Sequence, residues 1–156
     1  LSVFCLRLAL GMLGTLWLLP ASRLHPRFFR THFLTVLGLT LVAGWMARPS
    51  DADFPVLLVD TRWLSWGTAL LALLGATVWM LERPPGGWGL VALCMAGCAA
   101  ALFGIARANP SLVLVEELGE VPALALHGVA DATSAALLGF AVTSMLVGHS
   151  YLICPD

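Results

Sequence analysis

Apolar residues fill this chain in five long blocks, at about 2–20, 31–47, 63–81, 88–106 and 123–152, with short polar connectors between them. A helix that crosses a bilayer needs about 20 mostly apolar residues. In lipid, a helix satisfies its own backbone hydrogen bonds. The pattern therefore predicts an all-α integral membrane protein: a bundle of about five transmembrane helices with short loops, forming one domain over 1–156. The chain starts at Leu1 and stops at Asp156 directly after an apolar run, so it is expected to be part of a longer chain, with an even helix count open. The first block is too long for the apolar core of a signal peptide, and no small-residue cleavage signature follows it.

The connectors carry the polar information. Residues 21–32 form a basic hairpin with Arg23, Arg27, Arg30, His25 and His32 and no acid. The run from Glu82 to Gly87 reads as a helix break, because Pro and Gly punctuate it. The connectors 48–62 and 108–122 are acidic, and each holds a short Val/Leu run, 54–59 and 112–115. Arginines in short loops mark the cytoplasmic side. That places loop 21–32 in the cytoplasm and the N-terminus outside, in a bacterial-type inner membrane.

Composition strengthens the reading. Hydrophobic residues make up 60% and charged residues 11% of the chain, and mean hydropathy is +0.92. Soluble domains average about 45–50% apolar and about 25% charged. The net charge of -1 argues against a nucleic-acid binder. Expected partners are the lipid bilayer and other membrane subunits. Cys5, Cys94, Cys98 and Cys154 all sit in or beside apolar blocks and read as small hydrophobes. Cys94 and Cys98 beside Met95 have the softness for Cu(I), but no His lies near them in sequence, so no metal site is read.

Lipid gives helices no hydrophobic reason to join, so close backbone approach must do it. Ala92, Ala96, Ala100 and Gly104 make one small-residue ridge, and Gly128, Ala132 and Ala136 another. Both are expected to pack inside the bundle, the alternative being a seat for a different subunit. The tryptophans Trp17, Trp45, Trp63, Trp66, Trp79 and Trp88 lie toward block ends, as in an interfacial aromatic belt.

Candidate chemistry gathers in the fifth block. His127 and Asp131 are one helical turn apart. They read either as a proton- or ion-relay pair or as a hydrogen-bonded pair that sets helix position. Ser134, Met145 and His149 fall near the same face and suggest a polar seam turned from lipid. At the cytoplasmic end, His149, Tyr151 and His32 are candidates for a quinone, haem or lipid head group, although no motif encodes a cofactor. Arg7 is expected to snorkel to the outer surface, or to pair with an exterior acid if it faces inward. No catalytic signature such as H-E-x-x-H or G-x-S-x-G occurs, so an enzyme is disfavoured. Three functions follow as expectations. The first is an accessory or structural subunit of a larger membrane complex, of a bioenergetic kind associated with electron transfer, quinone or pigment. The second is a transporter or channel component using His127 and Asp131. The third is a membrane enzyme acting on lipid or quinone.

Overall fold

A computed structural model describes residues 1–19, 26–47, 60–81, 84–108 and 119–153. Among these residues the chain is all-helical, with α1 (Ser2–Leu18), α2 (Pro26–Met46), α3 (Thr61–Met80), α4 (Pro84–Ala108) and α5 (Glu120–Ile153). Four of them, α2 to α5, are long and apolar enough to cross a membrane. The fifth expected span is shorter than its apolar block suggests. Helix α1 stops at Leu18, and Leu19 is extended (φ -91, ψ 132), because a residue that precedes proline is pushed out of the helical region. Its 17 residues reach only about 26 Å.

The described parts of two expected loops are helical. The basic segment is helical from Pro26 onward, and α4 starts at Pro84 within the expected break. The reason is the same in both places. Proline lacks an N–H that the first helical turn leaves unbonded anyway, and its fixed φ suits a helix start. Helix α3 begins on Asp60, whose carboxylate accepts the Arg62 N–H at 3.1 Å. Helix α5 follows Gly119, at φ 83, a left-handed conformation that glycine adopts without steric cost. The apolar runs at 54–59 and 112–115 and Cys154 lie outside the described residues.

Consecutive helices alternate in direction. Trp17, Phe29, Trp79 and Trp88 meet at one end of the bundle. At the other end Gly44 lies against Ser65 and Trp66, and Gly104 against Thr61. Helix α1 is central and packs on α2, α4 and α5, while α3 packs on α2 and α4. The core joins Leu6, Leu13 and Leu16 of α1 to Phe29 and Phe33 of α2, Ala72 and Ala76 of α3, and Val91, Cys94 and Cys98 of α4. Helix α5 adds nothing to that core and is held mainly by α1.

The outer surface is apolar. Leu70, Leu93, Phe103, Leu137 and Met145 are all exposed. In water such continuous apolar cover is an aggregation surface, whereas in a bilayer it is the normal state. Trp17, Trp45 and Trp63 are exposed, as a belt requires, but Trp79 is buried. It stacks on Phe29 (centroids 4.1 Å apart, planes 9° apart) and meets Trp88 edge-on at 6.4 Å. The ring reaches this place because α4 carries Gly87 there: a Cβ would come within 2.6 Å of the indole.

Both small-residue ridges lie largely on the outside of the bundle. Ala92, Ala96 and Ala100 of α4 are exposed, as are Gly128, Ala132 and Ala136 of α5, and Gly104 is half-buried. The inward face of α4 is instead Val91, Cys94, Cys98 and Ala101. Gly104 alone of the two ridges faces a neighbouring helix closely, at Thr61 of α3.

Candidate functional site

Polar side chains of α1 and α5 meet along the seam between these two helices. Residues four apart share one side of a helix, and α1 presents Arg7, Gly11 and Thr15 in such a row. Helix α5 answers with Asp131, Ala135, Gly139 and Thr143. The partners ascend together, so the two helices run parallel. Each row reads charge, small residue, threonine in the same direction. That matched spacing is a signal already present in the sequence. The small-residue row Gly128, Ala132 and Ala136 is rotated to the next side of α5.

The seam has three levels. At the first, Arg7 Nε donates to Asp131 Oδ1 at 2.7 Å, and its Nη2 forms an ion pair with the same oxygen. Arg7 thus pairs with an acid of α5 rather than one in an exterior connector. The Arg7 side chain is 34% exposed and that of Asp131 15%. At the second level the backbones touch. A Cβ on Gly11 would collide with the Ala135 carbonyl, and one on Gly139 would collide with the backbone of Gly11. No other residue type allows this approach. At the third level, the Thr15 and Thr143 hydroxyls are 2.8 Å apart, and His32 Nε2 lies 3.3 Å from Thr143 Oγ1. The other ring nitrogen, Nδ1, is 3.1 Å from the Phe28 carbonyl. Thr15 also donates to the Met12 carbonyl at 2.8 Å.

This arrangement distributes the expected site residues differently from their sequence grouping. Asp131 is engaged by Arg7. His127 occupies the next position of the same α5 row, and its Nε2 is buried without a hydrogen-bond partner. His32 is fully buried, with both ring nitrogens in hydrogen-bonding contacts. His149 is exposed on α5. The ring of His32 therefore does not face His149 as a haem ligand pair must. The side chain of Tyr151 lies outside the described residues. Ser134 is half-buried, but Met145 and His149 are exposed. The polar seam thus follows the α1 contact and does not extend along the face expected from helical periodicity. Hydrogen bonds between helices in lipid contribute only about 0.6 kcal/mol on average. The network sets register more than it adds stability.

Helices α4 and α5 diverge and leave a cleft of about 200 Å³. Leu10 of α1 lines it, with Ala99, Leu102 and Phe103 on the α4 side and Gly128, Asp131 and Ala132 on the α5 side. Its one charged lining group is Asp131. Among the described residues no cluster of three or more His, Cys, Asp or Glu is placed to hold a metal ion. Cys5, Cys94 and Cys98 are buried thiols, packed as small apolar side chains.

The fold and seam define an all-helical chain whose helices suit a membrane. No protein-family model matches it, and neither curated proteins nor solved structures give a match.

Proposed function

We propose that this chain is an accessory, structural subunit of a larger membrane complex, and that a bioenergetic assembly is the kind to test first. The observation that carries the reading is the outward placement of both small-residue ridges. Helix-facing small residues are how transmembrane helices approach one another. Here Gly128 and Ala132 line an open cleft, with Ala99 of α4 opposite. The Arg7–Asp131 pair at this cleft is partly exposed. Polar surface at membrane depth is costly to leave against lipid, and a neighbouring helix would cover it. The bilayer and other membrane subunits are then the partners. Arg27 and Arg30, in the first turns of α2, fall at one end of the alternating bundle, which supports a cytoplasmic position for that end. The N-terminus is then outside, in a bacterial-type inner membrane.

The test is photo-crosslinking in native membranes, with a reactive residue placed at Ala96, Ala100, Ala132 or Ala136 in turn. Discrete adducts with one or two membrane proteins are expected from these sites and not from Leu70 or Leu73, on the outer surface of α3. Adducts at all sites alike, or none, would sink the proposal.

A transporter or channel component is the second reading, favoured by one observation. His127 has a buried, unpartnered Nε2 one turn from Asp131. The close contact of Gly11 with Ala135 and Gly139 weighs against a path along this seam, because it leaves no room for water between the two polar levels.

A further inference from the structure

The third level of the seam does not close with a neutral histidine. It has four contacts: Met12 carbonyl with Thr15, Thr15 with Thr143, Thr143 with His32 Nε2, and His32 Nδ1 with the Phe28 carbonyl. A full set of unshared hydrogen bonds takes one proton per contact. The two carbonyls only accept. Each hydroxyl brings one proton, and a neutral imidazole brings one. Three protons therefore serve four contacts, and one hydroxyl has to be shared between two acceptors. An imidazolium brings the fourth proton. Every donor then has a unique acceptor: Nδ1–H to the Phe28 carbonyl, Nε2–H to Thr143, Thr143 to Thr15, and Thr15 to the Met12 carbonyl.

We infer that His32, Thr143 and Thr15 form a proton-binding site in which the imidazole of α2 takes up one proton and thereby fastens α5 to α2 across α1. The ligand is the proton itself, and the bound state is the imidazolium at the head of a one-way chain of donors. Among the described residues no Cα of α2 lies within 8 Å of one of α5, so this network is a side-chain tie between helices that α1 otherwise separates.

The surroundings give the charge partial compensation. Met12 and Thr15 lie in the last two turns of α1, whose C-terminus carries partial negative charge. The Phe28 ring lies 4.3 Å from the His32 ring, centroid to centroid, within range of a cation–π contact. Around the ring, α1 offers Thr15, α5 offers Thr143, and α2 offers Phe28. The described acidic positions lie far from it. Asp60 and Glu120 start α3 and α5 at the opposite end, and Asp131 is about 18 Å along α5 from Thr143. At the near end are Arg27 and Arg30 of α2 and His149, two turns beyond Thr143. Arg30 and His149 are exposed. The site therefore depends on hydrogen bonding rather than on a counter-ion. It holds whether or not the chain docks other subunits.

The test uses the whole chain in lipid nanodiscs with ring-¹⁵N-labelled histidine, the His32 signal being assigned by its loss in His32→Gln. The readout is the ratio of doubly to singly protonated His32 across a pH series. In Thr143→Val the Nε2 acceptor is gone, and the remaining contacts need no extra proton. A charge-assisted hydrogen bond accounts for a factor of about 10 to 100, so the ratio at any given pH falls by that much. Thr143→Ser keeps the hydroxyl and the wild-type ratio. Thr15→Ala frees the Thr143 proton for Nε2 and lowers the ratio as Thr143→Val does, which keeps the test available should the valine variant misfold. Equal ratios in wild type, Thr143→Val and Thr15→Ala would overturn the inference. So would a wild-type His32 ring that stays singly protonated across the whole pH series.

Discussion

Asp131→Leu removes the carboxylate that Arg7 contacts through both Nε and Nη2 and leaves a guanidinium facing an apolar seam. Stripping one partner from a fully buried ion pair costs about 3–5 kcal/mol. Arg7 is one-third exposed and can turn part of its length toward the interface, so the expected loss is smaller, about 2–3 kcal/mol. Arg7→Met leaves Asp131 alone. At 15% exposure and with a short side chain, it has less room to escape, so its loss is at the upper end of that range. The double variant replaces the pair by apolar side chains of similar length. It is expected within about 1 kcal/mol of wild type, because the desolvation cost disappears with the attraction. The interaction energy from the double-mutant cycle is then at least about 4 kcal/mol. Reversible unfolding in bicelles measures it, with a fluorophore pair on α1 and α5 reporting the seam directly. Additive single effects, with no coupling, would refute the assignment of this pair as a mutually dependent contact.

Two further outcomes follow from the packing. Gly11→Val forces α1 and α5 apart at their backbone contact; overpacking of this kind costs about 1–3 kcal/mol, and a loss of seam proximity without unfolding of α2 to α4 is the expected result in the same assay. Trp79→Ala empties a buried aromatic site and is expected to cost about 3–5 kcal/mol, whereas the exposed Trp45 tolerates Ala with little change; equal effects in thermal unfolding would contradict the separation of core and belt tryptophans.

The seam shows where sequence reading reached its limit. Three of its members stand out in sequence: Arg7 as a charge that snorkels or pairs if it faces inward, Asp131 as a partner for His127, and His32 as a head-group or haem candidate at the cytoplasmic end. Their partners were not legible. Asp131 is one turn from His127 in sequence, and local spacing favours that pair. The fold instead brings Arg7 from 124 residues away. The small-residue ridges carry the same ambiguity. A row of Ala and Gly says that close approach is possible at that side of a helix, but which neighbour arrives there depends on how all five helices rotate to bury Phe29, Phe33 and Trp79.

Periodicity and composition alone determined the helical class, the positions of the blocks and their affinity for lipid, because a run of apolar residues long enough to span has few other stable states. Proline at the start of α2 and α4 moved two boundaries, for a local reason that the sequence already contained. Tertiary structure alone decided that α1 is central, that α5 is held mainly through α1, and that Arg7, Asp131, His32, Thr143 and Thr15 become mutual partners. These are choices of rotation and neighbour. In apolar helices with weak amphipathicity many rotations bury similar surface, and the decision falls to a few close glycine contacts and polar side chains that need partners.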